Sequence, residues 1–401
     1  MGNKKNWFEM NPKKTLLCFF IIIFFVLIFS AEIILSKKSK NQGISQGYSR
    51  SIRRSIRLKE HMPFTSYTIV LSKRDMENSD SLLTNNNPFR VDENGFIMPS
   101  RIYNNPDLNI VFLGGSTTEC AFVSEMNRFP YLVGRNIENE TGLKVNSFNS
   151  GVGGNDSLHS IDILLNKVLP MKPNIVVMMH NVNDIAILTL EKSYWNNNPF
   201  RSVIVVNKNT PFRDSLAKLK NTLIPNLYDT VLREILNTGE RPDGFEHVKG
   251  SKIQLNKSYL LNEFKNNLRI FISISRIRGI TPVLMTQTSR MKDNPDKLIE
   301  KRVSHFEKDY QFTYKEYREV YDLFNQAIRE VCKENNVLVI DLANEVPPER
   351  EYMYDINHFN DNGSIFVASI ISKHLIRLIN EDGSMLFRDN SEDTGIMNVI
   401  K

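Results

Sequence analysis

Asp355-Ile356-Asn357-His358 places a carboxylate three residues before an imidazole. At that spacing Asp355 can accept the Nδ1–H of His358, fix its tautomer and leave Nε2 as a base. A base needs a nucleophile, and the candidate is Ser116 in Gly114-Gly115-Ser116-Thr117-Thr118. Glycines there let the chain turn sharply and carry a serine to a strand end. Alone, these five residues suit a helix cap or a phosphate cradle equally well. They lack the lysine and the spacing of a P-loop. Two further segments are rich in amides and glycine: Asn149-Ser150-Gly151-Val152-Gly153-Gly154-Asn155-Asp156-Ser157 and His180-Asn181-Val182-Asn183-Asp184. The first is not the G-x-G-x-x-G of a dinucleotide loop.

Each segment follows an apolar run that reads as a strand. The runs are Asn109–Leu113, Val145–Asn149, Asn174–Met179, Thr281–Thr286 and Val337–Leu342. Short continuous runs between turn residues suit strands buried on both faces. Helical patterns lie between them, over Ser157–Val168, Tyr259–Arg278, Tyr314–Cys332 and Gly363–Ile379, with another expected over Ala121–Glu138. Alternating strand and helix predicts an α/β fold, a parallel sheet with helices on both faces. Ligands then bind at the C-terminal strand ends, where these segments fall. The stretch from about 185 to 249 breaks the rhythm and reads either as a decorative insertion or as a lid, with a helix across Leu223–Leu236.

In this order the four segments resemble the blocks of the SGNH/GDSL hydrolase family, over roughly residues 107–380. The resemblance implies a three-layer α/β/α sandwich with a mainly five-stranded parallel sheet, of flavodoxin-like order. It implies Ser116 as nucleophile, and Asp355 and His358 as the final Asp and His. It implies an oxyanion hole from the backbone N–H groups of Ser116 and Gly154 and the side-chain amide of Asn183. Two positions depart from the family pattern. Gly115 replaces the Asp of Gly-Asp-Ser, and Asn181 replaces the glycine of Gly-x-Asn-Asp. Asn tolerates a left-handed backbone, so Asn181 can stand in for glycine.

The other candidates read more plainly. His180 and Asn181 lie where they can line a pocket, although a hydrogen-bonded strand-end histidine is the commoner case. Gln287 and Arg290, after the fourth strand, could approach the substrate, although a solvated loop is the commoner case. His61, His247, His305 and His374 show no metal-ligand spacing, so neither a metal nor another cofactor is expected. Cys120 and Cys332 could pair if the body is exoplasmic, but two free buried thiols are favoured, and three cysteines exclude a disulfide scaffold.

The net charge of +6 is unevenly placed. Residues 1–60 hold twelve Lys or Arg against three acids, and the remainder holds thirty-nine against forty-two. A mildly acidic body argues against nucleic acid as a partner. Residues 1–14 form a short basic tail and 15–35 an apolar run of transmembrane length. Its end is a poor cleavage site, so a retained single-pass anchor in the lipid bilayer is favoured over a cleaved signal peptide. Residues 36–106 read as a basic linker and loop-rich lead-in, and 381–401 as a C-terminal tail. Flanking lysines balance across the span, and further out the count favours the C-terminal side as cytoplasmic, which leaves the orientation open on charge alone. The short lysine-rich tail favours the cytoplasm, which puts the body on the exoplasmic side. The expected activity is cleavage of a small carboxylic ester, such as an O-acetyl group on a glycan. O-acyl transfer to a polysaccharide by the same serine chemistry is the alternative. A non-catalytic binding protein on this fold is a third reading, and a lipase a fourth.

Overall fold

The five apolar runs become five strands of one parallel sheet in a computed structural model of the chain. The strands are β1 (Leu108–Gly114), β2 (Val145–Gly151), β3 (Ile175–Met179), β4 (Thr281–Met285) and β5 (Leu338–Ile340), in the order β2-β1-β3-β4-β5. The structure describes residues 10–41, 54–71, 73–77, 79, 83, 87–206 and 244–381. The helix expected across Leu223–Leu236, much of the insertion and nearly all of the C-terminal tail lie outside the described residues.

Alternation along the strands explains why the runs are apolar throughout. Ile110 and Phe112 face one core while Val111 and Leu113 face the other, and Val177 and Met178 divide in the same way. One layer consists of α2 (Phe129–Thr141) and α8 (Asp361–Glu381). The other consists of α3 (Ser157–Ile163), α4 (Val182–Leu190), α5 (Lys257–Ile277), α6 (Lys297–Tyr310) and α7 (Tyr314–Asn335). The sandwich thus has three layers, with the sheet buried between helices.

Polar side chains start these helices. Asp156 accepts from His159 N at the head of α3, Asn256 from Tyr259 N on α5 and Asp296 from Ile299 N on α6. Thr313 and Glu316 form a reciprocal capping box on α7. The helix expected from Ala121 begins only at Phe129. Cys120 takes a left-handed backbone that ends the turn after β1, and Pro130 sets the first turn of α2. Helix α6 was not foreseen, because its buried stripe of Ile299, Val303 and Tyr310 is narrow within a polar sequence.

The register lines up the strand ends. Gly114 lies opposite Gly151 on one side and Met179 on the other; Met179 pairs with Met285, and Met285 with Ile340. The chain leaves β1 toward β2 on one side and leaves β3 toward β4 on the other, which makes the β1/β3 crevice the switch point of the sheet. The lead-in is less loop-like than expected. Ser66–Ile69 and Asn87–Arg90 pair antiparallel, and Ile97 N bonds to Asn149 O at 2.9 Å, covering the edge of β2.

The chain divides into two units, residues 56–205 with 213–401, and residues 1–55 with 206–212. The second unit contains α1 (Pro12–Asn41), longer than the expected span of 15–35. Its Pro12–Ala31 segment has mean hydropathy 2.6 and no buried residue. At about 1.5 Å per residue, this segment is long enough and apolar enough to cross a membrane. Phe19, Phe20, Ile22, Phe24, Phe25 and Leu27 are all exposed, so no polar face fits it to a protein surface.

Phe112 is fully buried at the centre of the sheet, its ring 5.7 Å from that of Phe129 and edge-on to it. Phe112→Ala is expected to cost about 3–5 kcal/mol in chemical denaturation, and a loss below about 1 kcal/mol would contradict this packing.

Candidate active site

Ser116 opens a single helical turn, Ser116–Glu119, directly after β1. Its hydroxyl donates to His358 Nε2 at 2.7 Å. On the far side of the imidazole, Nδ1 lies 2.9 Å from both carboxylate oxygens of Asp355. That contact fixes the proton on Nδ1 and makes Nε2 the acceptor. The backbone N–H of His358 also donates to Asp355 Oδ1, at 2.9 Å, so the carboxylate shapes the loop it sits on. The His358 side chain is 23% exposed and that of Asp355 only 7%, so substrate can reach the base but not the group that orients it. The Tyr354 ring stacks on the imidazole at 5.5 Å and 10°.

Burial opposes the charge on Asp355. His358, followed by Arg302 with Nη2 at 3.7 Å, outweighs it and brings the carboxyl down to about 2. Asp355 therefore stays ionised through any turnover near neutral pH.

Asn183 lies in the first turn of α4, after β3. Its Nδ2 donates to Asn155 O at 2.8 Å and lies against Gly115. A Cβ on Gly115 would sit 2.4 Å from that nitrogen, so the missing side chain is what admits the amide. An Asp here, as in Gly-Asp-Ser, would require the Asn183 amide to shift. An amide nitrogen carries two hydrogens, and Asn155 takes only one. Gly154 has φ +75, a conformation that glycine adopts without strain, and its carbonyl accepts from Arg201 Nη1 at 3.1 Å.

The site residues are held from beneath by buried amides that sequence reasoning passed over. Thr117 Oγ1 accepts from Gln287 Nε2 at 2.7 Å and from Asn357 Nδ2 at 2.9 Å. Gln287 Oε1 accepts from Val182 N at 3.1 Å. Asn325 on α7 exchanges bonds with the Gln287 backbone at 3.0 and 2.8 Å, and its Oδ1 accepts from Asn181 Nδ2 at 3.0 Å. The available signal was a polar residue on an apolar face, since Asn325 sits among Tyr321, Phe324 and Ile328.

Three expectations are corrected here. Gln287 and Arg290 are not a solvated loop but are 4% and 1% exposed, because both bond to backbone or side chains beneath the site. His180 and Asn181 line no open pocket. They are 3% and 1% exposed, with His180 Nε2 at 2.6 Å from Ser160 Oγ and Asn181 held by Asn325. Asn181 has φ −167, extended backbone, so no left-handed conformation explains the absent glycine.

Behind the site, Asp184 accepts from Tyr194 Oη at 2.6 Å and from Ser157. Burial, with Asp156 nearby, pushes its carboxyl up to about 7, and burial pushes His180 down to about 3. Among the described residues, no group of three or more His, Cys, Asp or Glu is placed to hold a metal. Cys120 and Cys332 are free and buried on opposite faces of the sheet, each thiol pushed up to about 12 by burial. A groove of about 610 Å³ beside Leu188, Leu255 and Tyr259 contains none of the site groups.

Gly115→Ala tests the Asn183 contact. Gly115 has φ −88, so alanine adds bulk without backbone strain. The variant is expected to keep its melting temperature within a few degrees while Ser116 reacts about tenfold more slowly with a fluorophosphonate. Unchanged reactivity would show that the amide does not act at Ser116.

No protein-family model matches the chain, and no curated protein matches it. Several solved structures are similar. One is LAE5, an α/β hydrolase enzyme from the metagenome of Lake Arreo, Spain, at TM-score 0.40 and 13% identity over 68% of this chain and 97% of that one. Another is Axe2, an acetylxylan esterase from Geobacillus stearothermophilus, at TM-score 0.39 and 14% identity over 68% and 96%. A third is the acetyl xylan esterase AlAXEase, at TM-score 0.39 and 15% identity over 66% and 98%. These similarities lie in the fold. The strand order, the segments at the strand ends and the Ser116–His358–Asp355 contacts agree with what the resemblance to SGNH/GDSL hydrolases implies.

Proposed function

We propose that the chain is a membrane-anchored serine esterase that cleaves a small carboxylic ester through an acyl-enzyme. The observation that carries this reading is the unbroken contact from Ser116 Oγ through both imidazole nitrogens to Asp355. Ser116 Oγ attacks the carbonyl carbon as its proton passes to His358 Nε2. The oxyanion forms among the N–H groups of Ser116 and Gly154 and the amide of Asn183, donors positioned in advance of the reaction. On collapse, the carbon–oxygen bond to the leaving alcohol breaks and His358 returns its proton to that oxygen. Water then attacks the acyl-serine, passing a proton to His358, and the carboxylic acid leaves as Ser116 is re-formed. Asp355 orients the imidazole and stabilises its charged form. The substrate class supported by this chemistry is an O-acyl ester, an O-acetylated glycan among them.

The anchor in this reading is residues 15–35, within α1. With its lysines held in the cytoplasm, the short N-terminal tail leaves the catalytic body on the exoplasmic side.

Ser116→Ala and His358→Ala are each expected to lower p-nitrophenyl acetate turnover by the full chain in detergent by about 10³-fold or more, without loss of fold. Undiminished hydrolysis by folded Ser116→Ala protein would sink the assignment. Protease added to intact cells should degrade the body and spare the tail, and protection of the body until lysis would reverse the orientation.

A further inference from the structure

The linker that leaves the expected membrane span does not stay a solvated basic stretch. Its last residues dock on the loop that carries Gly154. Lys59 O accepts from Asn155 Nδ2 at 3.0 Å, and Asn155 O accepts from Asn183 Nδ2. On the same strap, Arg57 donates to Pro199 O and Ser202 O at 2.6 and 2.7 Å, while Glu60 pairs with Lys167 at 2.9 Å. Lys59 is thereby fixed two hydrogen bonds from the Asn183 amide.

The Lys59 side chain turns onto Gly154. Its Nζ lies 3.3 Å from where a Cβ on Gly154 would stand, and Arg201 Nη1 lies 2.2 Å from the same point. Two cations thus crowd one glycine. Arg201 is engaged by the Gly154 carbonyl and packs over the Phe245 ring at 5.1 Å. The Lys59 ammonium has no hydrogen-bond or ion-pair partner among the described residues. The acids in its field lie nearer to other groups: Asp156 contacts His159 at 2.8 Å, and Glu119 Oε1 lies 3.0 Å from His61 Nε2. Burial, and then Arg201, bring the Lys59 amine down to about 8, so near neutral pH it remains largely charged. A half-buried ammonium held beside a guanidinium is unfavourable on its own, and an anion at Lys59 relieves it.

We propose that Lys59 and Arg201 form an anion subsite beside the oxyanion hole, selecting esters that carry a carboxylate or phosphate close to the reacting carbonyl. This rests on the esterase reading above and adds to it the charge of the substrate. The strap sets both cations against Gly154, on the loop whose Asn155 carbonyl takes the Asn183 amide.

The test uses the full chain in detergent and two pairs of probes. p-Nitrophenyl acetate is compared with mono-p-nitrophenyl succinate, which is charged on the acyl side. Phenyl acetate is compared with 4-acetoxybenzoate, which is charged on the alcohol side. In one pair, the ratio of kcat/KM for the anionic ester to that for the neutral ester is expected to fall about tenfold in Lys59→Gln and to be largely restored in Lys59→Arg. Ratios unchanged by Lys59→Gln in both pairs overturn the proposal while leaving the esterase reading intact. Calorimetry on Ser116→Ala protein with succinate and with inorganic phosphate decides the subsite even if no ester is turned over, and separates a carboxylate site from a phosphate site. Binding weakened about tenfold by a further Lys59→Gln change supports it, and no binding, or binding indifferent to Lys59, overturns it.

Discussion

The structure depends on a handful of buried amides beneath the strand ends. Thr117 follows β1, Asn181 and Val182 follow β3, Gln287 follows β4, and Asn357 belongs to the loop after β5. Asn325, from helix α7, ties the middle of this set together. Each of these groups is costly to bury alone, and many of the bonds that hold them cross from one loop to another. The network therefore works as a mutual constraint. It holds Ser116 and His358, 242 residues apart, at hydrogen-bond distance without any covalent link between the loops.

Electrostatics is divided between the front of the site and its back. At the front, Asp355 is kept ionised by His358 and Arg302 although it is buried. At the back, Asp184 is buried among Ser157, Tyr194 and Asp156, which raises its carboxyl instead. The two acids are alike in burial and differ in whether a cation faces them. That difference separates the residue that orients the imidazole from the one that braces the loop carrying Asn183.

The segment after the apolar helix α1 has two parts. Residues up to the low fifties carry basic charge suited to a lipid surface. Arg57, Lys59 and Glu60 lie instead against the body, each engaged through backbone or side chain. In the proposed reading, one stretch of chain both tethers the enzyme and contributes a wall to its site. A body cut at residue 61 would lack that wall.

Much of this was legible in the sequence. Periodicity identified five buried strands and most of the helices, because sheets covered on both faces require continuous apolar runs. Ser116, Asp355 and His358 could be singled out because their segments follow strands in order, and the structure brings these three within hydrogen-bond distance. Strand order, and with it the switch point beside Ser116, comes from pairing between distant segments and leaves no local pattern. The burial of Gln287, Arg290, His180 and Asn181 is likewise tertiary, since a polar residue after a strand reads as solvated until its partners arrive from another element. Lys59 is the sharpest case. Among a dozen basic residues in the first sixty, nothing local marks it out, and only the folding of the strap onto Gly154 separates it from its neighbours. The sequence by itself determined the elements and the chemical groups, because those follow from local periodicity and residue type. Which groups meet, and which charges remain unpaired, was decided by tertiary structure, because both depend on contacts between residues far apart in the chain.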